Sequence, residues 1–328
     1  MKKASILYGF VTAFMVSVLL LNGFPAVMAM ELSGLSVTCG DGRLFPIYES
    51  DETIDLTLKW QGEELTGESE ATVVVKDYFG IEKSRLTDKV DLSLGQYKFK
   101  LQNLPIGHYD LNAAIGNKDC KIELAVVNEL EKRRKSDDSV VALSAMSSHS
   151  SASYKINNPD EFARSIALQG ITRVREFNTM TGHIWQGKYH DVSACTELIN
   201  AYNKYGMKVL FMIGQTPKEM LKPDQSTDNA GVPYELIKGY EYVKSVCEFY
   251  EGKIDTIEIM NEMDIGANAN VDRYGADKYA AFLKTASIAA KDSETGINVA
   301  NAALTPYVPK YRNILYQNDI NDYIDILS

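Results

Sequence analysis

The sequence predicts an all-β sandwich followed by an α/β barrel of parallel strands. Three observations carry this reading. Short strand-like segments recur without an intervening helix up to about residue 128, strand-then-helix units take over afterwards, and a stretch of nearly pure charge at 129–138 separates the two. A chain of 328 residues is long enough for about two domains. Its 45% hydrophobic and 24% charged residues can bury real cores, which excludes a wholly disordered chain. The net charge of −10 repels phosphate backbones, so no nucleic-acid partner is expected.

The first segment is a targeting signal. Lys2 and Lys3 precede an apolar stretch at 4–24, and Val27 and Ala29 occupy the −3 and −1 positions of a cleavage site. This is the layout of a secretory signal peptide at 1–29. An uncleaved membrane anchor is the alternative. The mature chain is expected to begin near Met30 or Glu31 and to work secreted, extracellularly or in the cell envelope. No later segment approaches the ~20 apolar residues of a membrane span, so no span is expected after signal cleavage.

The sandwich is expected over 30–128. Ile54 to Trp60 alternates apolar and polar residues, as a strand with one buried face should. Further strands are expected at 71–75, 97–101, 109–115 and 121–127, set off by turn residues such as Gln61-Gly62 and Gly116-Asn117. Leu104-Pro105-Ile106-Gly107-His108-Tyr109 resembles the turn-and-tyrosine entry to a late strand in bacterial immunoglobulin-like modules. That resemblance implies an immunoglobulin-like sandwich serving as a spacer or carbohydrate-contacting accessory domain. Cys39 and Cys120 lie near its two ends, where a bridge is plausible in an exported protein. Cys195 and Cys247 sit on apolar helix faces and read as buried thiols. No C-x-x-C occurs and the four histidines lack metal-ligand spacing, so neither a metal nor a cofactor is expected.

After the charged linker at 129–138, the barrel is expected over 139–328. A first strand is expected at 140–147. Asn158-Pro159-Asp160-Glu161 then starts a helix, with a capping residue, proline at the first position and acids in the first turn. Strands follow at 171–177, 209–213, 254–260 and 297–300, each preceded by a helix whose apolar stripe ends at a glycine. Gly170, Gly206, Gly252 and Gly296 mark those ends. Repeated units of this size demand parallel strands covered by helices. An open doubly wound sheet is the other candidate, but neither G-x-G-x-x-G nor a phosphate-binding P-loop is present. The barrel is preferred, and a nucleotide-dependent enzyme is disfavoured on the same ground.

In such barrels the chemistry sits at the C-terminal ends of the strands. Polar groups gather there: Ser148-His149-Ser150, Arg175-Glu176, Gly214-Gln215-Thr216 and Asn261-Glu262. Glu262 follows an apolar strand, where walling by barrel side chains would raise its pKa and suit it to general acid work. Asn261 can donate to a substrate hydroxyl. Trp185 could stack on a sugar ring, and His149 is a further candidate.

The segment from Tyr242 through Phe249-Tyr250-Glu251-Gly252-Lys253 to Ile259-Met260-Asn261-Glu262 resembles the fourth strand-helix unit of clan A glycoside hydrolases, the retaining (β/α)8-barrel enzymes that include cellulases and β-xylosidases. Gly170-Ile171-Thr172-Arg173-Val174-Arg175 is similar to their second strand, 208–217 to the third strand and its loop in the β-xylosidase-like branch, and 323–328 to the start of the sixth. The resemblance implies a glycosidase acting on a poly- or oligosaccharide by double displacement. It makes Glu262 the general acid/base, Asn261 the ligand of the sugar 2-hydroxyl, and Arg175 the support of a nucleophile carboxylate.

The sequence departs from that family in two respects. Ile257, Met260 and Met263 stand where tryptophan and proline are common. The chain also ends at Ser328, so about 190 residues follow the linker against ~250 in a complete barrel. The expectation is therefore a C-terminally truncated barrel of about strands 1 to 6, with the nucleophile beyond the chain end. The alternative is a non-catalytic carbohydrate-binding or cell-surface interaction protein on a barrel scaffold.

Overall fold

The computed structural model describes residues 34–61, 67–132, 142–145, 156, 158–177, 183–185, 188–190, 193–214, 216–221, 231–265, 273–305 and 308–328. The expected signal peptide and His149 lie outside them. Among the described residues no helix is long and apolar enough to cross a membrane. The chain divides into two compact units, Met1–Lys135 with Arg164–Gly170, and Ser136–Ala163 with Ile171–Ser328.

The described residues of the first unit form eight strands: β1 (Leu35–Cys39), β2 (Ile47–Glu49), β3 (Ile54–Trp60), β4 (Glu68–Asp77), β5 (Glu82–Asp91), β6 (Gln96–Leu101), β7 (Gly107–Ile115) and β8 (Lys118–Val127). They form a three-stranded sheet in the order β1-β3-β6 and a five-stranded sheet in the order β2-β8-β7-β4-β5. The larger sheet is mixed, because β2 runs parallel to β8 while the other pairs are antiparallel. Leu56 and Leu58 from one sheet and Val73, Val75 and Leu111 from the other belong to a single apolar core. The Trp60 indole donates to the Leu92 carbonyl at 2.7 Å, which satisfies its one polar atom inside that core. The Tyr109 hydroxyl donates to the Pro105 carbonyl at 2.5 Å, pinning the turn that the sequence had marked before β7.

None of the four cysteines is in a disulfide. The sequence left a Cys39–Cys120 bridge open, and it is not formed here. Cys39 ends β1 opposite Leu56 in the smaller sheet, whereas Cys120 sits on β8 opposite Ala113 in the larger one. Cys195 and Cys247 are fully buried, as their apolar settings predicted.

In the remainder of the chain, β9 (Leu143–Ser144) is a two-residue piece of the expected first strand. Helix α1 (Pro159–Leu168) begins as predicted, with Asn158 Oδ1 accepting the Glu161 N–H at 3.2 Å. Then come β10 (Arg173–Phe177), the short hairpin β11 (His183–Trp185) and β12 (Lys188–His190), α2 (Ser193–Lys204), β13 (Lys208–Ile213), α3 (Leu236–Phe249), β14 (Thr256–Ile259), α4 (Arg273–Asp292), β15 (Asn298–Asn301) and α5 (Pro309–Gln317). The glycines at 170, 206, 252 and 296 all adopt positive φ, the conformation in which helices commonly end.

Strands β9-β10-β13-β14-β15 form one sheet in chain order, and every pairing is parallel. Ala300 continues the series through a parallel bridge to Ile326. Register separates the faces. Val209, Phe211, Ile257 and Ile259 are buried on one face, which the helices cover: the Phe211 ring packs on Tyr250 at 5.0 Å, and the Tyr202 hydroxyl of α2 donates to Glu176 at 2.8 Å. Tyr279 of α4 is a fastener. Its hydroxyl donates to the Ile259 carbonyl at 2.9 Å and accepts the Ala302 N–H at 2.6 Å, tying the ends of β14 and β15 together. Helices α3 and α4 meet at Gly239, where a Cβ would come within 3.0 Å of the Phe282 ring. The opposite face of the sheet carries Arg175, Met212, Thr256, Glu258 and Ala300, and here the polar chemistry lies.

Candidate active site

The site is assembled at the C-terminal ends of β10, β13, β14 and β15. Beyond Ile259 the chain makes a sharp turn in which Met260 (φ 68°) and Glu262 (φ 46°) both adopt the left-handed conformation. Non-glycine residues seldom do so, and two within three positions mark backbone held against its preference. Three ties hold it. The Met260 N–H donates to the Ile213 carbonyl at 2.9 Å and the Glu262 N–H to the Ala303 carbonyl at 3.0 Å. Asp264 Oδ2 accepts both the N–H and the hydroxyl of Thr305, each at 2.8 Å. The loop bearing Glu262 is thus sewn to the end of β13 on one side and to the loop after β15 on the other.

Arg175 reaches this turn from β10. Its Nε donates to Glu258 Oε2 at 2.5 Å, its Nη2 to Glu258 Oε1 at 3.0 Å, and the same Nη2 to Asn261 Oδ1 at 2.8 Å. The Met212 thioether lies 2.9 Å from Nη2, and Ser144 Oγ accepts from Nη1 at 3.4 Å. Glu258 also accepts the Ala303 N–H at 2.9 Å. The guanidinium fixes the Asn261 amide with its oxygen inward, so the donor end of that amide faces away from Arg175.

The structure brings three of the five sequence-predicted residues together: Arg175, Asn261 and Glu262. Trp185 closes β11 opposite Lys188, in a short hairpin within the connection that follows the second strand of the sheet. His149 lies outside the described residues. The expectation of a carboxylate walled in by its neighbours is met by a different residue. Glu262 is exposed, whereas Glu258, on the same face of the sheet as Arg175, is fully buried.

Glu258 and Asp264 are residues to which sequence reasoning gave no role. A signal existed for the first. A glutamate between Ile257 and Ile259 in a buried strand must find a cation or donors, and Arg175 alternates onto the matching face of β10. The resemblance gave Arg175 a nucleophile to support; the carboxylate it holds here is Glu258. Among the described residues, no three His, Cys, Asp or Glu side chains are grouped as metal ligands would be.

No protein-family model matches the sequence, and no curated protein matches it. Among solved structures, the chain is similar to a family 39 glycoside hydrolase from the gut symbiont Bacteroides cellulosilyticus WH2, at 16% identity and a TM-score of 0.57, covering 81% of this chain and 50% of that one. An FMN-binding β-glucuronidase from Facaelibacterium prausnitzii L2-6 is matched at 13% identity and a TM-score of 0.33, over 84% of this chain and 40% of that one. A β-glucuronidase from Parabacteroides merdae is matched at 13% identity and a TM-score of 0.32, over 84% and 33%. The superposition on the family 39 enzyme shows a shared fold, and this chain spans half the length of that enzyme.

Proposed function

We propose that this chain belongs to a glycosidase that cleaves O-glycosidic bonds in a poly- or oligosaccharide, with Glu262 as general acid/base. One observation carries the proposal. An Asn-Glu pair follows a central parallel strand in a strained, triply tied turn, with the asparagine clamped by Arg175 from two strands away. Strain held in place by surrounding structure is characteristic of functional sites, and here it presents a carboxyl able to protonate a scissile oxygen beside an amide able to hold a sugar hydroxyl. In the first half-reaction Glu262 gives its proton to the leaving oxygen while a carboxylate attacks the anomeric carbon. In the second it takes a proton from water, which releases the sugar with retention. Asn261 donates to the 2-hydroxyl, and Arg175 keeps that amide aimed. The attacking carboxylate is assigned to no residue of the 328.

We further read the parallel sheet as part of a (β/α)8 barrel, which its chain-order topology supports. The first unit is read as an immunoglobulin-like accessory module, supported by the Tyr109–Pro105 bond. Export follows from the signal-like N-terminus.

The test is a Glu262→Gln exchange in the intact gene product, assayed on aryl glycosides of graded leaving-group acidity. Loss of the acid should lower kcat by roughly 10²- to 10⁴-fold for poor leaving groups and far less for activated ones. Equal activity of wild type and variant across the series would overturn the proposal. Retained oligosaccharide binding with no hydrolysis by the wild type would replace it with a binding role.

A further inference from the structure

We propose that Glu258 is the positioning residue of the acid/base, a buried carboxylate that fixes both halves of the Asn261-Glu262 pair; this rests on Glu262 being that acid/base. Two arms leave the one carboxylate. Through Arg175 it fixes Asn261: Nε and Nη2 donate to Glu258 at 2.5 and 3.0 Å, and Nη2 continues to Asn261 Oδ1 at 2.8 Å. Through Ala303 it fixes Glu262: Oε1 accepts the Ala303 N–H at 2.9 Å, and the Ala303 carbonyl accepts the Glu262 N–H at 3.0 Å. Each member of the pair is thus one bonded residue away from Glu258.

The side chain is chosen for this geometry. Burying a carboxylate is costly unless donors surround it, and here both arms consist of such donors. Glutamine has the same shape but cannot replace it. An amide oxygen kept on the Ala303 arm turns the amide NH2 against the Arg175 Nε, donor facing donor. The flipped amide abandons Ala303 instead. Either way one arm opens. A displacement of about 1 Å at a catalytic group can cost on the order of 10²-fold in rate.

A bond that only stabilises the fold would lower activity equally on every substrate, through the folded fraction. Loss of acid positioning falls selectively on substrates that need the proton. The experiment is Glu258→Gln in the intact gene product, with kcat and KM measured on the aryl glycoside series beside Glu262→Gln. The expected result is a loss of about 10- to 100-fold in kcat on the poorest leaving group, little change on the most activated, and KM nearly constant. A uniform loss, or none, while Glu262→Gln keeps its leaving-group dependence would overturn this inference alone. Absence of that dependence in Glu262→Gln would overturn the functional reading itself. Should Glu258→Gln fail to fold, the double variant Arg175→Met/Glu258→Leu removes both charges together and leaves neither one buried alone. It should show the same selective loss, and a wild-type leaving-group profile in it would equally refute the role.

Discussion

Arg175 and Glu258 are joined across an intervening strand. Arg175 on β10 is in register with Leu210 on β13, and Leu210 with Thr256 on β14, so Glu258 lies two positions further along. The guanidinium spans that offset, passing the Met212 sulfur to hold both carboxylate oxygens. Glu258 is fully buried, while the Arg175 side chain keeps 22% of its exposure. Removing the arginine would leave an ion inside the sheet without its counter-ion.

Arg175→Ala is therefore expected to destabilise the barrel-like unit by about 3–5 kcal/mol, more than truncation of a partly exposed side chain would cost. The double change Arg175→Met/Glu258→Leu should recover most of that loss. Urea unfolding of the three proteins checks it. A single variant no less stable than the double would show that the pair carries no buried charge.

How much of this was legible in the sequence depended on whether a signal was local. β3 was read to its ends because Ile54 to Trp60 alternates cleanly. The strand-helix alternation was legible because each helix stripe ends at a glycine. β5 was missed altogether: Glu82–Asp91 has polar residues on both faces, since it is an edge strand paired only with β4. The Asn261-Glu262 pair was legible as a motif at a strand end. The clamp behind it was not, because it depends on the register of β10 against β14, which lie 83 residues apart at Arg175 and Glu258. Nor did the sequence mark the left-handed turn, for Met260 and Glu262 are residues that ordinarily avoid it.

The buried thiols set an alkaline limit on each unit separately. Burial pushes Cys120 in the first unit and Cys247 in the second from an ordinary 9.0 up to about 12. Between pH 9 and 12 the unfolded thiol ionises while the folded one keeps its proton. The native state then binds more protons, so stability falls as pH rises, by roughly 1.4 kcal/mol per pH unit for each thiol. Below pH 9 this contribution is flat. Burial also pushes the phenols of Tyr48 and Tyr250 upward, and they act in the same direction. Urea midpoints for each unit should drop between pH 9 and 11, and Cys120→Ala or Cys247→Ala should shallow the slope of its own unit. Midpoints that stay constant over that range would refute the prediction. At pH 8 the thiolate fraction is on the order of 1 in 10⁴, so both cysteines should resist alkylation until the protein unfolds.

The turn at Glu262 makes a prediction that sets stability against function. Met260 and Glu262 share the left-handed conformation, but their side chains differ in what holds them. Met260 is fully buried and packing fixes it. Replacing it with glycine would relieve strain and yet lose about 2–5 kcal/mol of buried side chain. Glu262 is exposed, so packing does not repay its strain of about 1–2 kcal/mol. Glycine adopts this backbone freely, and its greater freedom in the unfolded chain returns only about 0.5–1 kcal/mol. Glu262→Gly should therefore be more stable than Glu262→Ala, by roughly 0.5–1 kcal/mol in chemical denaturation, with both inactive on glycosides of poor leaving group. The alanine variant separates the two effects, since it removes the carboxyl and keeps the strain. An alanine variant more stable than the glycine variant, by about 0.5–1 kcal/mol, would mean that the backbone at 262 is relaxed. The strained turn would then no longer mark this residue as the one the fold holds in place for chemistry.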